Sequence, residues 1–432
     1  MHKKFLTPCL LTSLAILTTG CADGPCASVD GPVVFAWDNS VDHRMAGTNP
    51  LAFDSISGAI EAADPGTTVC ISGGYWQENV HLTKSGISLI GAGPEKTIIE
   101  SRHPQTDPRD SVKSVLSVDA TGIQIEGLQL SGGQIGLELL PKSQVELRDV
   151  ELRTNTVGLL SKDIDSLTVN GLALIRNTST GASFEHSSSQ PFELDLTDLR
   201  VEGNGQRGVS TVGGLRSDHP LVLTRAHFQD NTGTEAGDLY AHSLDAMNLS
   251  VGRPFVADST ARMVLSGETF IQEASLQLLG GGIVVDCAQE TLSLVNVAIS
   301  DGDLSEAGPA MLELNDCSGL LQHLTLAKLV GPERGTGISL TGNSNLLIEN
   351  SALVHFEKPL ALNGTTLEEN SNFIGPLSEA ALISPLGAHP NLRPQRDSPL
   401  IDAAEDAGIQ RDTEGWNRPL GGAPDIGAYE RR

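Results

Sequence analysis

The sequence predicts an all-β fold, a right-handed parallel β-helix with a short N-terminal capping helix. Two observations lead to this prediction. An apolar pattern with a turn residue at a fixed place recurs every 22 to 27 residues through the middle of the chain. The composition is rich in glycine (46 residues) and poor in aromatic side chains (4%), which suits many short strands joined by turns. A length of 432 residues is too great for one compact core but usual for an elongated repeat architecture.

The repeat places apolar residues at offsets 0, 2, 5 and 7 and a turn residue at offset 10. Copies that begin at Ile123 and Leu292 have glycine at offset 10, and weaker copies begin at Gly319 and Leu346. Four copies have asparagine at this place: Val145, Leu147, Val150 and Leu152 with Asn155; Leu167, Val169, Leu172 and Leu174 with Asn177; Leu194, Leu196, Leu199 and Val201 with Asn204; Leu221, Leu223, Ala226 and Phe228 with Asn231.

This pattern predicts three short strands in each repeat. Alternation at offsets 0–2 and 5–7 gives two strands with one buried face each, and the skip between them bends the chain. A third apolar pair follows a glycine, as at Gly158 and Leu159. One coil cannot bury its apolar side alone, so coils must stack, which aligns the four asparagines at one turn. A leucine-rich repeat is the alternative for this period, but its L-x-x-L-x-L pattern is missing. Residues 240–290 do not follow the template.

A capping helix is predicted before the first coils. In "FDSISGAIEAADPG" (53–66), Asp54 or Ser55 can cap a helix whose apolar face ends at a Pro-Gly stop. Such a helix covers the open end of a stack. The stretch "GGYWQENV" (73–80) follows. Its Tyr75 and Glu78 could be catalytic, but we expect Tyr75 to pack near the capped end and Glu78 to satisfy nearby backbone.

Both ends of the chain resemble known β-helix proteins. The run 49–93 resembles the N-terminal signature of pectin-lyase-like β-helix proteins, in which a capping helix, a Pro-Gly turn, a first strand and a Gly-x-Tyr-x-Glu element follow in this order. The segments "DSPLIDAA" (397–404) and "DTEGWNRPLGGAPDIGAYE" (412–430) are similar to the closing segment of exported bacterial choice-of-anchor β-helix proteins. The resemblance implies a β-helix over 33–390 and a closing segment over 391–432. It implies little about activity, because this fold carries many unrelated functions.

The N-terminus predicts export and a lipid anchor. Lys3 and Lys4 precede an uncharged, mostly apolar stretch that is too short to span a bilayer. The sequence Leu-Thr-Thr-Gly-Cys ending at Cys21 resembles the lipobox of bacterial lipoproteins. That resemblance implies a signal peptide over 1–20, lipidation of Cys21 and a tether over 21–32, and Ala22 favours the outer membrane, on its periplasmic face or at the cell surface. An ordinary secretory signal is the alternative.

The charge limits the class of partner. Removing residues 1–20 takes away Lys3 and Lys4 and no acidic residue, so the net charge goes from −26 to −28. Nucleic acid is therefore excluded as an expected partner, because phosphate binding needs clustered Lys and Arg. A polyanionic sugar would be repelled unless a cation bridged it.

The cysteines predict disulfides. Cys9 leaves with the signal and Cys21 takes the lipid, which leaves four cysteines for an oxidising compartment. Three pairings are possible, and neighbourhood in sequence favours Cys26 with Cys70 and Cys287 with Cys317. Free buried thiols are the alternative. The spacings do not resemble a zinc site, and no resident metal or other cofactor is expected.

One acid–base cluster can be constructed from the repeat. Offsets 4, 6 and 8 point outward, so neighbouring coils would place Asp198 beside Arg225 and Arg200 beside His227. Arg225 or His227 could abstract a proton from a uronic acid, with Asp198 and Glu202 holding calcium. The alternative is a solvated face with cross-strand ion pairs of little energetic value.

Two functional hypotheses follow. The first is a non-catalytic, lipid-anchored β-helix of the bacterial envelope that binds a glycan or another envelope protein. The second is a divergent polysaccharide lyase or hydrolase acting on an acidic glycan. The aspartate motifs of polygalacturonases and the signature motifs of pectin methylesterases and pectate lyases are absent, and no Trp lies in the central coils. Arg418, Asp425 and Glu430 are interpreted as structural, because ion-pair networks often imitate sites.

Overall fold

A computed structural model describes most of the chain. The described residues are 26, 29–37, 52–102, 114–185, 187, 194–206, 209–252, 261–278, 282–300, 310–329, 333–363, 365–385 and 390–432. The predicted signal peptide and Cys21 lie outside them. No helix among the described residues is long and apolar enough to cross a bilayer.

The described chain contains two short helices and 32 strands, introduced here in three groups. The N-terminal group is β1 Val33–Ala36, β2 Ala52–Phe53, α1 Ile56–Ala62, β3 Thr68–Ile71, β4 Gly74–Gln77, β5 Val80–Leu82, β6 Ser88–Ile90, β7 Thr97–Glu100 and β8 Ser114–Val118. The central group is β9 Ile123–Ser131, β10 Ile135–Leu139, β11 Gln144–Arg153, β12 Val157–Lys162, β13 Ser166–Ile175, β14 Thr180–Glu185, β15 Leu194–Glu202, β16 Leu215–Ser217, β17 Leu221–Gln229, β18 Leu239–Val251 and β19 Ala261–Gln277.

The C-terminal group completes the chain. It is β20 Gly282–Asp286, β21 Thr291–Ser300, β22 Leu312–Asn315, β23 Ser318–Gln322, β24 Thr325–Ala327, β25 Thr336–Thr341, β26 Asn345–Glu349, β27 Ala352–Val354, β28 Lys358–Leu362, β29 Thr366–Asn370, β30 Phe373–Gly375, α2 Leu377–Ala380, β31 Leu382–Ser384 and β32 Asn391–Pro394. Strands β1 to β30 pair in parallel, and only β31 and β32 pair antiparallel.

The chain is a right-handed parallel β-helix, which confirms the predicted fold class. The template residues of one coil stack on those of the next: Val145 pairs with Leu167, and Leu196 pairs with Leu223. Offsets 0–2 build a first sheet and offsets 5–7 build a second sheet, and both lie on single bent strands such as β11. The strands after the glycine, such as β12 and β14, build a third sheet. Leucine, isoleucine and valine from all three sheets form one continuous core.

A left-handed residue makes the corner between the first and second sheets. It occupies offset 4 in successive coils, and we call these positions the corner column: Gly127, Asp149, Gly171, Asp198, Arg225, Asn248, Glu273, Asn296, His323, Asn350 and Ser371, all with φ between 48° and 84°. A single left-handed residue reverses the side-chain alternation, so the residues on both sides of it can face the core.

The asparagines at offset 10 form a buried ladder. Asn155, Asn177, Asn204 and Asn231 are fully buried. Asn177 Nδ2 donates to the Leu152 carbonyl (3.0 Å) and to Asn204 Oδ1 (2.9 Å), and Asn177 N donates to the same Oδ1 (2.9 Å). Each amide therefore satisfies backbone groups that the turn leaves unpaired inside the molecule.

The ladder ends in a buried ion pair. Asn231 Nδ2 donates to Asp238 Oδ1 (2.9 Å), and Asp238 pairs with Arg262. Arg262 Nη1 also donates to the Asn231 carbonyl (3.1 Å). Both charged side chains are almost completely buried. The ion pair thus replaces the next asparagine of the ladder.

Helix α1 caps the N-terminal end of the stack, as the sequence predicts. Ser55 Oγ accepts from Gly58 N, and Ile56, Ala59 and Ile60 are buried against the core. Glu78 accepts from Ile56 N (2.7 Å) and from the amide and hydroxyl of Ser57 (3.1 and 2.9 Å). Glu78 therefore holds the first turn of the cap, where its negative charge is favoured.

The expectation for Tyr75 is wrong. Tyr75 is 73% exposed, whereas its neighbour Trp76 is buried and donates its indole N–H to the Ser72 carbonyl (3.2 Å). Side chains alternate along β4, so only one of the two aromatic residues can face the core. Trp76 occupies that inward place.

The disulfides Cys26–Cys70 and Cys287–Cys317 are both present, which confirms the favoured pairing. The first fixes the segment before β1 to β3. The second joins the end of β20 to the turn before β23. Each disulfide therefore crosslinks parts of the stack that lie close together.

The described residues of the region 240–290, which the template does not place, belong to the same stack. Here β18 and β19 run from the third sheet directly into the next first sheet, with left-handed residues at Ser243 and Gly267 instead of a loop. Thr269 and Ala274 occupy template positions at which the next coil has the larger Leu292 and Val297. The missing loop changes the spacing, and the small residues weaken the apolar signal.

Candidate functional site

Asp198 and Arg225 lie together at the corner column, as the sequence predicts. Arg225 donates to Asp198 through Nε (2.6 Å to Oδ1) and Nη2 (2.8 Å to Oδ2). About half of each side chain is exposed. The two residues form a bidentate ion pair in contact with solvent.

The ion pair keeps both groups charged. The hydrogen bond from Arg225 lowers the pKa of the Asp198 carboxyl below its ordinary value, and the same bond raises the pKa of Arg225. A general base must give up a proton to act. The contact with Asp198 moves Arg225 away from that state.

His227 forms its hydrogen bonds with residues other than Asp198 and Arg225. It is the register partner of Arg200. Its Nδ1 is 2.8 Å from Ser250 Oγ, and its Nε2 is 3.3 Å from Gln229 Oε1. The structure therefore brings two of the three candidate residues into direct contact, and the imidazole bonds to neutral side chains.

In the later coils, the closing segment covers the residues of the corner column. Asn350 Nδ2 donates to the Glu405 carbonyl, and Glu405 N donates to Asn350 Oδ1, both at 2.9 Å. His323 Nδ1 is 2.5 Å from Arg418 Nη1. Both column residues are fully buried. Burial, followed by the nearby charge of Arg418, lowers the pKa of His323 to about 3.

Arg418 is the centre of the closing segment. Its guanidinium donates to the carbonyls of Asp425 (2.8 Å) and Gly427 (3.1 Å) and lies 3.3 Å from Glu430 Oε1. Glu430 in turn accepts from the backbone amides of Asp425 (2.9 Å) and Leu420 (3.1 Å). Burial raises the pKa values of Asp425 and Glu430. Backbone amides oppose both shifts: those of Asp402 and Arg431 donate to Asp425, and the two just named donate to Glu430. The contacts are those of a structural cluster.

A shallow groove runs between the corner column and the closing segment. It has a volume of about 270 Å³ and is lined by Glu273 and Asn296 on one side and by residues 408–411 on the other. Asn296 Nδ2 donates to the Arg411 carbonyl (2.6 Å), and Thr413 Oγ1 donates to the Asn296 carbonyl (2.7 Å). These bonds fix the floor of the groove.

The outward side of the third sheet carries an amphipathic surface that the sequence analysis missed. We call it the third-sheet face. Successive strands align half-exposed side chains in one row: Leu160, Ser183, Arg216, Tyr240, Val264 and Val284. A polar row runs beside it: Glu185, Asp218, His242, Ser266 and Asp286.

Tyr240 lies in the middle of this face. The Arg216 guanidinium is 4.6 Å from the centre of the Tyr240 ring and also pairs with Asp218 (3.3 Å). His242 Nδ1 is 3.0 Å from Ser266 Oγ. Apolar, aromatic and hydrogen-bonding groups thus share one flat surface. Neither a tryptophan nor the repeat template marks this surface in the sequence, because its aromatic residue is a tyrosine in a region without template spacing.

The described residues contain no group of three or more His, Cys, Asp or Glu side chains placed to hold a metal ion.

No protein-family model and no curated protein matches the chain. Solved structures with a similar fold include a protein of Geobacillus virus E2, with 13% identity, a TM-score of 0.37 and coverage of 79% of this chain. The chain spans 61% of the viral protein's length. The pectate lyase Pel9A has 12% identity and a TM-score of 0.37, with coverage of 95% of this chain and 100% of the enzyme. A pectin methylesterase from Yersinia enterocolitica has 12% identity and a TM-score of 0.28, with coverage of 61% and 90%.

The fold and the surface together define the class of this protein: it is a right-handed parallel β-helix with an amphipathic outward sheet face. The fold follows from the chain's own strand register. The similarities are too low to carry an activity from any of these proteins to this one.

Proposed function

We propose that this protein is a non-catalytic β-helix of the bacterial envelope, held to the outer membrane by a lipid at Cys21, that binds a neutral glycan on its third-sheet face. The observation that carries the proposal is the row around Tyr240. Sugar rings have apolar C–H surfaces and hydroxyl rims, so they are recognised by apolar and aromatic side chains beside hydrogen-bonding groups.

The polar row supplies both kinds of hydrogen-bonding group. Asp218 and Asp286 are acceptors, Ser266 can donate and accept, and the His242 ring offers one of each. The Arg216 guanidinium adds donors and also holds the Tyr240 ring through a cation–π contact. The net charge of the chain without residues 1–20 is −28, because −26 loses Lys3 and Lys4; this charge opposes a polyanionic ligand and favours a neutral one.

The state of Asp198 and Arg225 supports a binding role over catalysis. Each group is satisfied by the other, and their mutual contact keeps Arg225 protonated. Ion pairs of this kind are common on exposed protein surfaces and need not act on a substrate.

Binding is tested with the chain from residue 22 onward, without the lipid, by calorimetric titration against a panel of neutral and acidic polysaccharides. We expect affinity for a neutral glycan that Tyr240→Ala and Arg216→Ala each weaken about tenfold, which corresponds to about 1.4 kcal/mol. Tyr75→Ala, an exposed tyrosine far along the stack, is the matched control and should bind as the wild type does. Equal binding by Tyr240→Ala and wild type would contradict the proposed surface.

Two further assays test the other parts of the proposal. Incorporation of labelled palmitate in cells should be lost in Cys21→Ser, and its persistence would contradict the lipid anchor. Release of reducing ends or unsaturated products from a uronic-acid polymer would instead support the enzyme hypothesis. If Arg225→Ala left that activity unchanged, Asp198, Arg225 and His227 would not be its site.

A further inference from the structure

Only a short stretch of sequence separates the predicted lipid site from the first disulfide of the fold. Cys26 is buried and bonded to Cys70 on β3, near the N-terminal end of the first sheet. Cys21 precedes Cys26 by five residues. An extended chain spans at most about 3.6 Å per residue, so the lipidated residue stays within about 18 Å of the disulfide.

The disulfide shortens the effective tether. Without it, the first fixed residue would be Val33 at the start of β1, twelve residues after Cys21. The same chain geometry would then allow about 43 Å between the lipid and the fold. The crosslink to Cys70 therefore removes more than half of the possible reach.

The opposite end of the stack is much farther away. From β3 to β29 the first sheet contains twelve strand-to-strand steps. Parallel strands lie about 4.8 Å apart, so the C-terminal end lies roughly 58 Å from Cys70. A tether of about 18 Å cannot bring both ends to a bilayer at the same time unless the whole stack lies flat.

The N-terminal end also presents an aromatic side chain. Tyr75 lies on β4, which pairs only with β7 among the described strands, and is 73% exposed. A tyrosine is favoured at a membrane–water interface, where the ring lies in an apolar layer and the hydroxyl stays hydrated.

We propose that the N-terminal end of the β-helix, formed by α1, β4 and the Cys26–Cys70 disulfide, faces the membrane surface and that the disulfide keeps it there. The C-terminal end then points away from the bilayer. This inference rests on the lipid at Cys21 in the proposed function. The partner is the surface of a phospholipid bilayer.

The test measures the distance of each end from the bilayer. Lipidated full-length protein is reconstituted into phosphatidylcholine vesicles that carry an acceptor dye on a headgroup. A donor dye is attached to Glu61→Cys, on the exposed side of α1, or to Glu368→Cys, on β29; both glutamates are exposed. We expect at least several-fold higher energy transfer from Glu61→Cys. Equal transfer from both positions overturns the orientation.

The disulfide is tested in the Glu61→Cys background. Joint replacement Cys26→Ser and Cys70→Ser should lower the energy transfer, because the tether lengthens. Cys287→Ser with Cys317→Ser is the matched control and should leave the transfer unchanged. An insertion of eight Gly and Ser residues after Asp23 lengthens the tether without touching the fold, so it gives the same expected loss if the double variant does not fold. Unchanged transfer in the insertion variant overturns the role of the tether.

Failure of the two proposals can be told apart. Protein that carries no lipid and does not bind vesicles contradicts the anchor, and the orientation falls with it. Protein that binds through its lipid but transfers energy equally from both ends contradicts the orientation alone.

Discussion

The corner column has the same backbone conformation in two different environments. In the middle coils, Asp198 and Arg225 have φ values of 55° and 57° and form an ion pair in solvent. In the later coils, His323 and Asn350 have φ values of 50° and 53° but are fully buried beneath the closing segment. There the column side chains bond to Arg418 and to the backbone of Glu405.

The difference shows that the repeat determines the backbone conformation of the column. The closing segment determines whether a column side chain is exposed or buried in structural contacts. A charged pair at an exposed corner is free to vary, because water satisfies either residue alone. A side chain at a covered corner must match the groups that lie over it. A cluster of polar residues in the column is therefore structural where it is covered and available for other uses where it is exposed.

The largest effect is expected from a substitution in the closing segment, which covers the later part of the corner column. Arg418→Ala leaves the Glu430 carboxylate and two backbone carbonyls without their buried partner. Removing one member of a buried ion pair costs about 3–5 kcal/mol. We expect a loss of this size in the free energy of unfolding, measured by urea denaturation. A loss no greater than that of an exposed arginine variant would contradict the structural role of the cluster.

The pH dependence of stability tests the role of His323, another residue beneath the closing segment. The folded pKa of His323 is about 3, below the value of 6.5 for a free histidine. The unfolded chain therefore binds a proton at His323 more readily, and the histidine's contribution to stability is present above pH 6.5 and lost as the pH falls toward 3. One pKa unit is about 1.4 kcal/mol, so this contribution amounts to about 5 kcal/mol.

We expect the stability difference between wild type and His323→Gln to shrink as the pH falls from 6.5 toward 3. Urea denaturation of both proteins across this range measures it. The comparison between the two proteins removes the contribution of carboxylates that titrate in the same window. A difference that stays constant with pH would show that His323 does not carry a shifted pKa.

The asparagine ladder offers an intermediate case, because it is buried but satisfied within the repeat. Asn204→Ala removes the acceptor of Asn177 N and the donor to the Leu174 carbonyl. Each unpaired buried group costs about 1–3 kcal/mol, so the two groups together predict a loss of about 2–6 kcal/mol in unfolding free energy. Asn204→Asp keeps the acceptor and serves as a partial control. A negligible loss in Asn204→Ala would contradict the ladder.

The smallest effect is expected from substitutions of the exposed column residues Asp198 and Arg225. Arg225→Ala and Asp198→Ala should leave the urea midpoint unchanged within error, because both groups are already in contact with solvent. These variants are also the control for Arg418→Ala. A clear loss of stability in either would show that the exposed corner carries more than a surface ion pair.

The sequence predicted the repeat positions well because apolar alternation is a local property of each strand. The template residues of β11, β13, β15 and β17 all face the core, and Ser55 caps α1. The prediction failed where a feature depended on which loops are present. The coils of β18 and β19 lack the loop that sets the usual spacing.

Candidate residues were predicted less completely. The contact between Asp198 and Arg225 follows directly from the period, because register in a parallel sheet fixes neighbours. The place of Tyr75 could have been predicted from alternation with Trp76, since one of two adjacent residues must face outward. The row that contains Tyr240 could not, because its members come from strands without a shared sequence spacing.

The sequence by itself determined the coil, because periodic apolar residues and turn asparagines act within a few positions of each other. It also determined which residues stack, because the period sets the register. Only the tertiary structure decided which half of the corner column is buried, since that depends on a segment more than 50 residues away folding back along the stack. It also decided which outward rows form a continuous surface, because such a surface exists only when several coils lie side by side.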